Sequence, residues 1–269
     1  NQTGARSSGV SRMTKAVAFR TPWTVWPALS LLATCSLLTT NAAGAELELE
    51  SANNDVADVA SLQRGARNFV NYCMGCHSAK YVRYNRLARD LELSQDQLVT
   101  NLMFAAEKPD ETMSIAMPEA DALRWFGQVP PDLTLIARSK GTDYLYGFLR
   151  SFYLDDSRPT GVDNRVLSGT SMPHVLWELQ GLQRAAFEEV EREDGIQEQH
   201  FIGFDTVTPG TMSADEFDGF VRDIVNFLEY TGSPEQLDSR RVGIWVIAFL
   251  LVFLILAYLL KNEYWKDVK

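Results

Sequence analysis

The chain has 269 residues, 46% of them hydrophobic and 22% charged, with a formal charge of −10 at pH 7. Its 35 acidic residues against 25 basic ones exclude a basic face for nucleic acid. No nucleophile triad and no phosphate-binding glycine loop can be read from it either.

The N-terminal part has the pattern of an export signal. Met13 fits an initiator and is followed by Lys15, Arg20, an apolar run from Trp23 to Leu38, and the small-residue site Ala43-Gly44-Ala45. Cleavage is expected after Ala45, which makes residues 1–45 a signal peptide. The residues ahead of Met13 hold no other methionine and read as a spurious start. Leu32-Ala33-Thr34-Cys35 weakly resembles a lipoprotein box, but threonine before the cysteine fits poorly and the site downstream fits better. Cys35 then leaves with the signal, as do Arg6, Arg12, Lys15 and Arg20, so that 21 basic residues face 35 acidic ones and the charge is −14. Such a surface repels anionic lipid and nucleic acid and attracts basic protein partners, by steering that weakens as salt rises.

Residues 46–239 suffice for one soluble domain with a core built around a cofactor. Leu62, Ala66, Phe69, Val70 and Cys73 recur at helical spacing and lead into Cys73-Met74-Gly75-Cys76-His77. C-x-x-C-H is the spacing at which a c-type haem is attached. Two cysteines separated by two residues at a helix end put both sulfurs on one side of a porphyrin, where each forms a thioether with a vinyl group. The adjacent histidine then offers its imidazole to the iron. Cys-x-x-Cys alone is ambiguous with a zinc half-site or a redox dithiol. A zinc site needs a second ligand pair, and only Cys35, His174 and His200 remain, at no zinc-finger spacing.

Leu87 to Phe104 forms a second helical region, with Ser94 as N-cap and Gln97 three residues on. Gly141 to Tyr153 forms a third, apolar at Tyr144, Leu145, Phe148, Leu149 and Phe152. Residues 105–133 and 154–181, rich in Pro and Gly, are expected to be extended loops folded over the haem. The acidic run Glu188, Glu189, Glu191, Glu193, Asp194, Glu198 suits a solvated helix face or loop as well as it suits a docking patch. Ser213 and Glu216 form a capping box, with Met212 and Phe217 as its hydrophobic staple, opening a helix through Phe220, Ile224, Phe227 and Leu228 to Gly232. Gly65 and Phe69 are expected to pack on Phe227 and Tyr230, joining the first and last helices. Val242 to Leu260 is then unbroken apolar sequence, about 28 Å long as a helix and close to bilayer thickness. Arg240-Arg241 and Lys261 flank it, with Trp245, Tyr258, Tyr264 and Trp265 near its ends. This gives a transmembrane anchor over 240–261 and a cytoplasmic tail over 262–269, because a cleaved signal exports the body.

The iron's second axial ligand decides between electron carriage and small-molecule binding. Met103, Met113, Met117, Met172, Met212, His174 and His200 are candidates. Met212 has a structural explanation in the staple and Met103 lies in an apolar helical run. Met117-Pro118 and Met172-Pro173 both stand on loops, where proline holds the preceding residue extended. Met172 is slightly favoured because it follows the flexible Ser168-Gly169-Thr170-Ser171.

Cys73-Met74-Gly75-Cys76-His77-Ser78-Ala79-Lys80, Val129-Pro130-Pro131-Asp132-Leu133, Gly141-Thr142-Asp143-Tyr144, Met172-Pro173-His174 and one C-terminal span after Tyr230-Thr231-Gly232 follow in one order. Over most of residues 60–265 this set resembles the cytochrome c1 family, the haem subunit of quinol:cytochrome c oxidoreductase, in its bacterial form. The resemblance implies a mainly α fold, a class I cytochrome c-like haem domain with long loops plus one C-terminal transmembrane helix. It implies one haem c attached through Cys73 and Cys76 and ligated by His77 and Met172. Pro130, Pro131 and Tyr144 would line it, with Arg138 or Lys140 near a propionate. Family members often carry arginine at the position of Lys140, and mitochondrial members have Met-Ala-Pro-Pro where Met172-Pro173-His174 stands, which keeps His174 as a rival ligand. The implied role is to take electrons from a Rieske iron–sulfur protein and pass them to a cytochrome c. Cytochrome b and membrane lipid would be the other partners, with the haem domain in the periplasm of a bacterial inner membrane. The alternatives are a membrane-anchored monohaem cytochrome of another respiratory component, such as a terminal oxidase subunit, and a haem peroxidase or sensor with an open sixth site.

Overall fold

Two helices cross at a glycine. In a computed structural model, residues 49–191 and 197–267 are described, all within the compact unit Leu47–Lys269. The expected signal segment, Cys35, Glu193 and Asp194 lie outside the described residues. Helix α1 (Val59–Tyr72) starts where the Asp58 carboxylate accepts from Ser61 N, and it buries Leu62, Ala66, Phe69 and Val70 on one face. After it come β1 (Ala79–Arg83), α2 (Tyr84–Asp90), α3 (Gln95–Asn101), β2 (Thr112–Met113) and α4 (Glu119–Phe126). Next are α5 (Ile136–Lys140), α6 (Thr142–Arg150), β3 (Phe152–Leu154), β4 (Val162–Asn164) and the short α7 (Trp177–Gln180). The long hairpin β5 (Gly181–Glu191) and β6 (Gln197–Pro209) leads to α8 (Ala214–Gly232) and α9 (Gln236–Tyr264). The strands form three antiparallel two-stranded pairs, β1–β2, β3–β4 and β5–β6.

Helices α1 and α8 pack as the sequence suggests. A Cβ at Gly65 would collide with the backbone carbonyl oxygen of Asp223 and lie 2.7 Å from Phe227 Cβ, so glycine is what lets the helices approach. One turn on, the Phe69 and Phe227 rings sit 5.4 Å apart, and Phe227 meets Tyr230 at 6.2 Å. The Asp223 carboxylate accepts from Ser61 Oγ at 2.7 Å and takes a bidentate pair from Arg64 at 2.6 and 2.8 Å. Buried Asn226 adds bonds to Ser61 Oγ and to the Asp55 carbonyl. Both capping boxes are present, at Ser94 with Gln97 and at Ser213 with Glu216. Met212 packs against the core as the staple requires.

Three sequence expectations are corrected. The second helical region is two helices, α2 and α3, separated at Glu92, whose φ of 54° is left-handed. The stretch 105–133 contains helix α4, begun at Pro118 and ended by left-handed Gly127, and the stretch 154–181 contains β4 and α7. The described members of the acidic run, Glu188, Glu189, Glu191 and Glu198, lie on a β-hairpin, with Glu188 opposite His200 and Glu189 opposite Gln199. Register shifts at Leu182/Gln183 and Ala186/Phe187 break the apolar alternation that would have marked these strands. Helix α9 has 29 residues and a window of mean hydropathy 2.9 with none of it buried, so it is long and apolar enough to cross a membrane. It extends beyond the expected 240–261 at both ends.

Gly65→Ala is expected to force α1 and α8 apart and cost about 3 kcal/mol. Chemical unfolding of the detergent-solubilised chain, compared with Gly219→Ala, where an added Cβ meets nothing within 4 Å, measures it.

Candidate functional site

The end of α1 turns sharply into the C-x-x-C-H segment. Cys73 N donates to Phe69 O at 2.8 Å, and the Cys73 carbonyl accepts from Cys76 N at 3.1 Å and His77 N at 2.9 Å. This closed turn sets Cys73, Cys76 and His77 on one wall of a single cleft. Cys73 shows part of its surface along that wall, yet it is packed closely enough that burial, with a smaller contribution from Cys76, pushes its thiol up to about 12. Burial also raises the Cys76 thiol.

His77 is oriented from behind. Its Nδ1 lies 2.8 Å from the Pro131 carbonyl oxygen, which can only accept, so Nδ1 carries the proton and Nε2 keeps its lone pair. Burial lowers the His77 pKa, against weaker upward pulls from the Pro131 carbonyl and Asp132, and this favours the neutral ring. The segment holding Pro131 is in turn fixed to the chain just after the motif. Leu133 N donates to Ser78 O at 2.8 Å, while the Asp132 carboxylate accepts from Lys80 N at 2.9 Å and from its own Thr134 N at 3.0 Å.

Helix α6 supplies Tyr144, Leu145, Phe148 and Leu149, and α8 supplies Ile224 and Leu228, one turn apart on its apolar face. Tyr144 and Phe148 lie parallel, 5° between planes and 6.4 Å apart. Lys140 lines the rim with Nζ 5.6 Å over the Tyr144 ring. The remaining wall is the loop Leu167, Thr170, Ser171, Met172, Pro173, Val175.

Eight of the nine residues expected at the site therefore meet in one cleft: Cys73, Cys76, His77, Pro130, Pro131, Lys140, Tyr144 and Met172. Arg138 does not. It is exposed, and a Cβ added at Gly232 would lie 3.5 Å from the Arg138 Cβ. Among the described methionines and histidines, the other candidate ligands stand outside the lining. Met103 and Met113 are buried in the core, Met212 faces a separate polar pocket between α1 and α8, Met117 is half-buried elsewhere, and His200 is exposed on β6. His174 turns inward and stacks on Phe152 at 5.0 Å and 6°. Burial pushes its pKa down to about 4; the Gly181 backbone and Gln180 side chain pull the other way without meeting hydrogen-bond geometry. Sequence reasoning missed Tyr72, Phe126, Ile136, Phe148, Ile224 and Leu228 as lining residues. The α8 pair could have been found from its i, i+4 spacing opposite the C-x-x-C-H end of α1.

A model of the Cytochrome C1 family matches residues 51–268. The chain belongs to the cytochrome c1 family. It is 52% identical over 238 residues to cytochrome c1 of Allochromatium vinosum, covering 88% of this chain and 96% of that protein. It is 42% identical over 228 residues to a Nitrosomonas europaea protein named ammonia monooxygenase gamma subunit, covering 85% and 92%. Cytochrome c1, heme protein, mitochondrial, of Schizosaccharomyces pombe is 25% identical over 238 residues, covering 79% and 68%.

Membership of the cytochrome c1 family implies a covalently bound haem c, and the cleft residues fit that group. Its lining is mostly apolar and aromatic, with two cysteines, a neutral imidazole with Nε2 free, and a thioether on another wall. Among the described residues no cluster of three or more His, Cys, Asp or Glu gathers that could hold a metal ion, so the zinc alternative finds no second ligand pair.

Asp132→Ala removes the bond from Lys80 N that ties the Pro130-Pro131 segment to the chain just after the C-x-x-C-H turn, and the local bond from Thr134 N. It should destabilise the chain by about 1–3 kcal/mol in urea titration, whereas exposed Asp156→Ala should stay within about 0.5 kcal/mol.

Proposed function

We propose that the chain is the haem-carrying electron-transfer subunit of a quinol:cytochrome c oxidoreductase, the cytochrome bc1 complex. It would take one electron at a time from a Rieske iron–sulfur protein and deliver it to a cytochrome c. The observation that carries this reading is the pairing, in one apolar cleft, of a His77 whose Nε2 lone pair is free with the Met172 thioether. A bound haem supplies reversible one-electron iron chemistry, and methionine ligation raises its potential.

In this reading Cys73 and Cys76 hold the group covalently, at the helix end where both sulfurs face one wall. His77 Nε2 would be one donor to the iron, kept in the right tautomer by the Pro131 carbonyl. Met172 would be the other, and iron held by both donors would suit electron transfer rather than binding of a peroxide or gas. Tyr144, Phe148, Ile224 and Leu228 exclude water, and Lys140 offers a cation at the rim. This arrangement supports the class I cytochrome c-like reading of residues 46–239. Helix α9 would then tether that domain beside cytochrome b, with residues 1–45 as the cleaved export signal, the haem on the periplasmic side and the 262–269 tail in the cytoplasm. Exposed Glu188 and Glu189 on β5, with the acidic balance of the chain, suit a basic electron acceptor.

Met172→Leu should leave the haem covalently attached, abolish the iron–thioether charge-transfer band, lower the midpoint potential by on the order of 100 mV and admit carbon monoxide to the reduced form. An unchanged band and potential would assign the second ligand to another residue. Affinity purification of the full chain from membranes should bring down a cytochrome b and a Rieske protein. Recovery with ammonia monooxygenase subunits instead would count against the quinol:cytochrome c oxidoreductase assignment.

A further inference from the structure

The loop that carries Met172 is mounted on the β3–β4 hairpin through two adjacent buried polar residues. Asp163 is 5% exposed and Asn164 0%. Asn164 Oδ1 accepts from Ser151 Oγ at 3.1 Å, Val166 N at 2.9 Å and Leu167 N at 3.1 Å, and its Nδ2 donates to Phe148 O at 2.8 Å. Asp163 Oδ1 accepts from Asn164 N at 2.8 Å and Gly169 N at 2.7 Å, and Oδ2 accepts from Ser168 Oγ at 3.2 Å. Four main-chain N–H groups between 164 and 169 thus end on two side chains.

Gly169, at φ 79°, turns the chain, and a Cβ there would meet Arg158 Nη2 at 3.4 Å. Three residues later Met172 N donates to Thr170 Oγ1 at 3.3 Å. Beyond Met172, the His174 ring returns to the same hairpin by stacking on Phe152. Phe148, whose carbonyl Asn164 grips, is itself a cleft residue, so one network ties the methionine loop to the helix wall beside it.

We propose that Asp163 and Asn164 are positioning residues that hold Met172 at the cleft as an axial donor. The inference rests on the reading of Met172 as ligand. A thioether is a neutral, weak donor, and a loop that had to be ordered when the iron–sulfur bond forms would charge that entropy against the bond. The clasp orders residues 164–169 through protein contacts alone. Removing it frees the sulfur to leave the iron while the thioethers and His77 stay in place.

The test uses the full-length holoprotein in detergent. Asp163→Leu removes all three acceptor contacts of that carboxylate; we expect loss of at least about half the iron–thioether band, a lower midpoint potential and carbon monoxide binding, with covalent haem retained. Asp163→Asn keeps Oδ1 for both N–H groups and should restore band and potential, whereas a purely volumetric role would make Asp163→Leu and Asp163→Asn behave alike. Asn164→Asp sets a carboxylate oxygen against the Phe148 carbonyl and should repeat the loss. Parent-like band, potential and refusal of carbon monoxide in Asp163→Leu and Asn164→Asp overturn the proposal. If neither variant accumulates, amide exchange in the parent decides. The amides of Val166, Leu167 and Gly169 should exchange on the order of tenfold more slowly than those of Ser168 and Ser171, and equal rates overturn it. Met172→Leu run in parallel separates the two readings. A parent-like Met172→Leu removes the ligand assignment, whereas an altered Met172→Leu beside a parent-like Asp163→Leu removes only the clasp.

Discussion

The contact on which the rest of the structure depends is the crossing of α1 and α8 at Gly65. With no side chain there, the Asp223 backbone comes within reach of α1 itself, and the Ser61, Arg64 and Asp223 contacts fix the rotation of one helix on the other. That rotation decides two things at once. It points the C-terminal end of α1, where Cys73, Cys76 and His77 follow, toward the apolar face of α8, and it brings Ile224 and Leu228 into the same cleft. A wider crossing would open a gap between the C-x-x-C-H turn and its floor. The Arg64 pair is half solvent-exposed on the arginine side, so its contribution is better understood as orientation than as stability.

The two sides of the cleft are held by different means. On the His77 side a local closed turn on the Cys73 carbonyl is backed by a distant proline-containing segment bonded to Ser78 and Lys80. Prolines there lack N–H groups that would need partners of their own, and the Pro131 carbonyl meets Nδ1. On the Met172 side the parts come from a hairpin whose strands are only three residues long. So short a pair is weak by itself. Its rigidity comes from Asp163 and Asn164, whose side chains take over the work that a longer ladder would do.

What could be read from the sequence was what is local. Capping at Ser94 and Ser213, the helix leading to Cys73, and the apolar span after Arg241 all depend on residues within a few positions of one another. The Gly65 crossing was legible because two small or aromatic positions at i, i+4 matched two on a later helix. What failed depends on context. Pro118 and Gly127 read as loop punctuation, although they are the start and stop of α4. The β5–β6 hairpin was hidden by its register shifts and by charge, since Glu188 and Glu189 are adjacent and no two-residue alternation survives. Asp163 and Asn164 gave no signal because an Asp-Asn pair between two glycines, Gly161 and Gly169, resembles any turn or loop.

The placement of His174 sharpens the choice between the two donors that stand two residues apart. An imidazole donor would be the stronger base, yet here its ring is packed flat on Phe152 behind the loop, among Gln180 and Gly181, and outside the cleft lining. To reach the cleft it would have to give up that stack and vacate a buried space. Met172 needs no such exchange, because its side chain already lines the wall and a thioether has no proton to lose. Pro173 between them restricts the backbone of Met172 to extended conformations, which limits how far the two side chains can trade places.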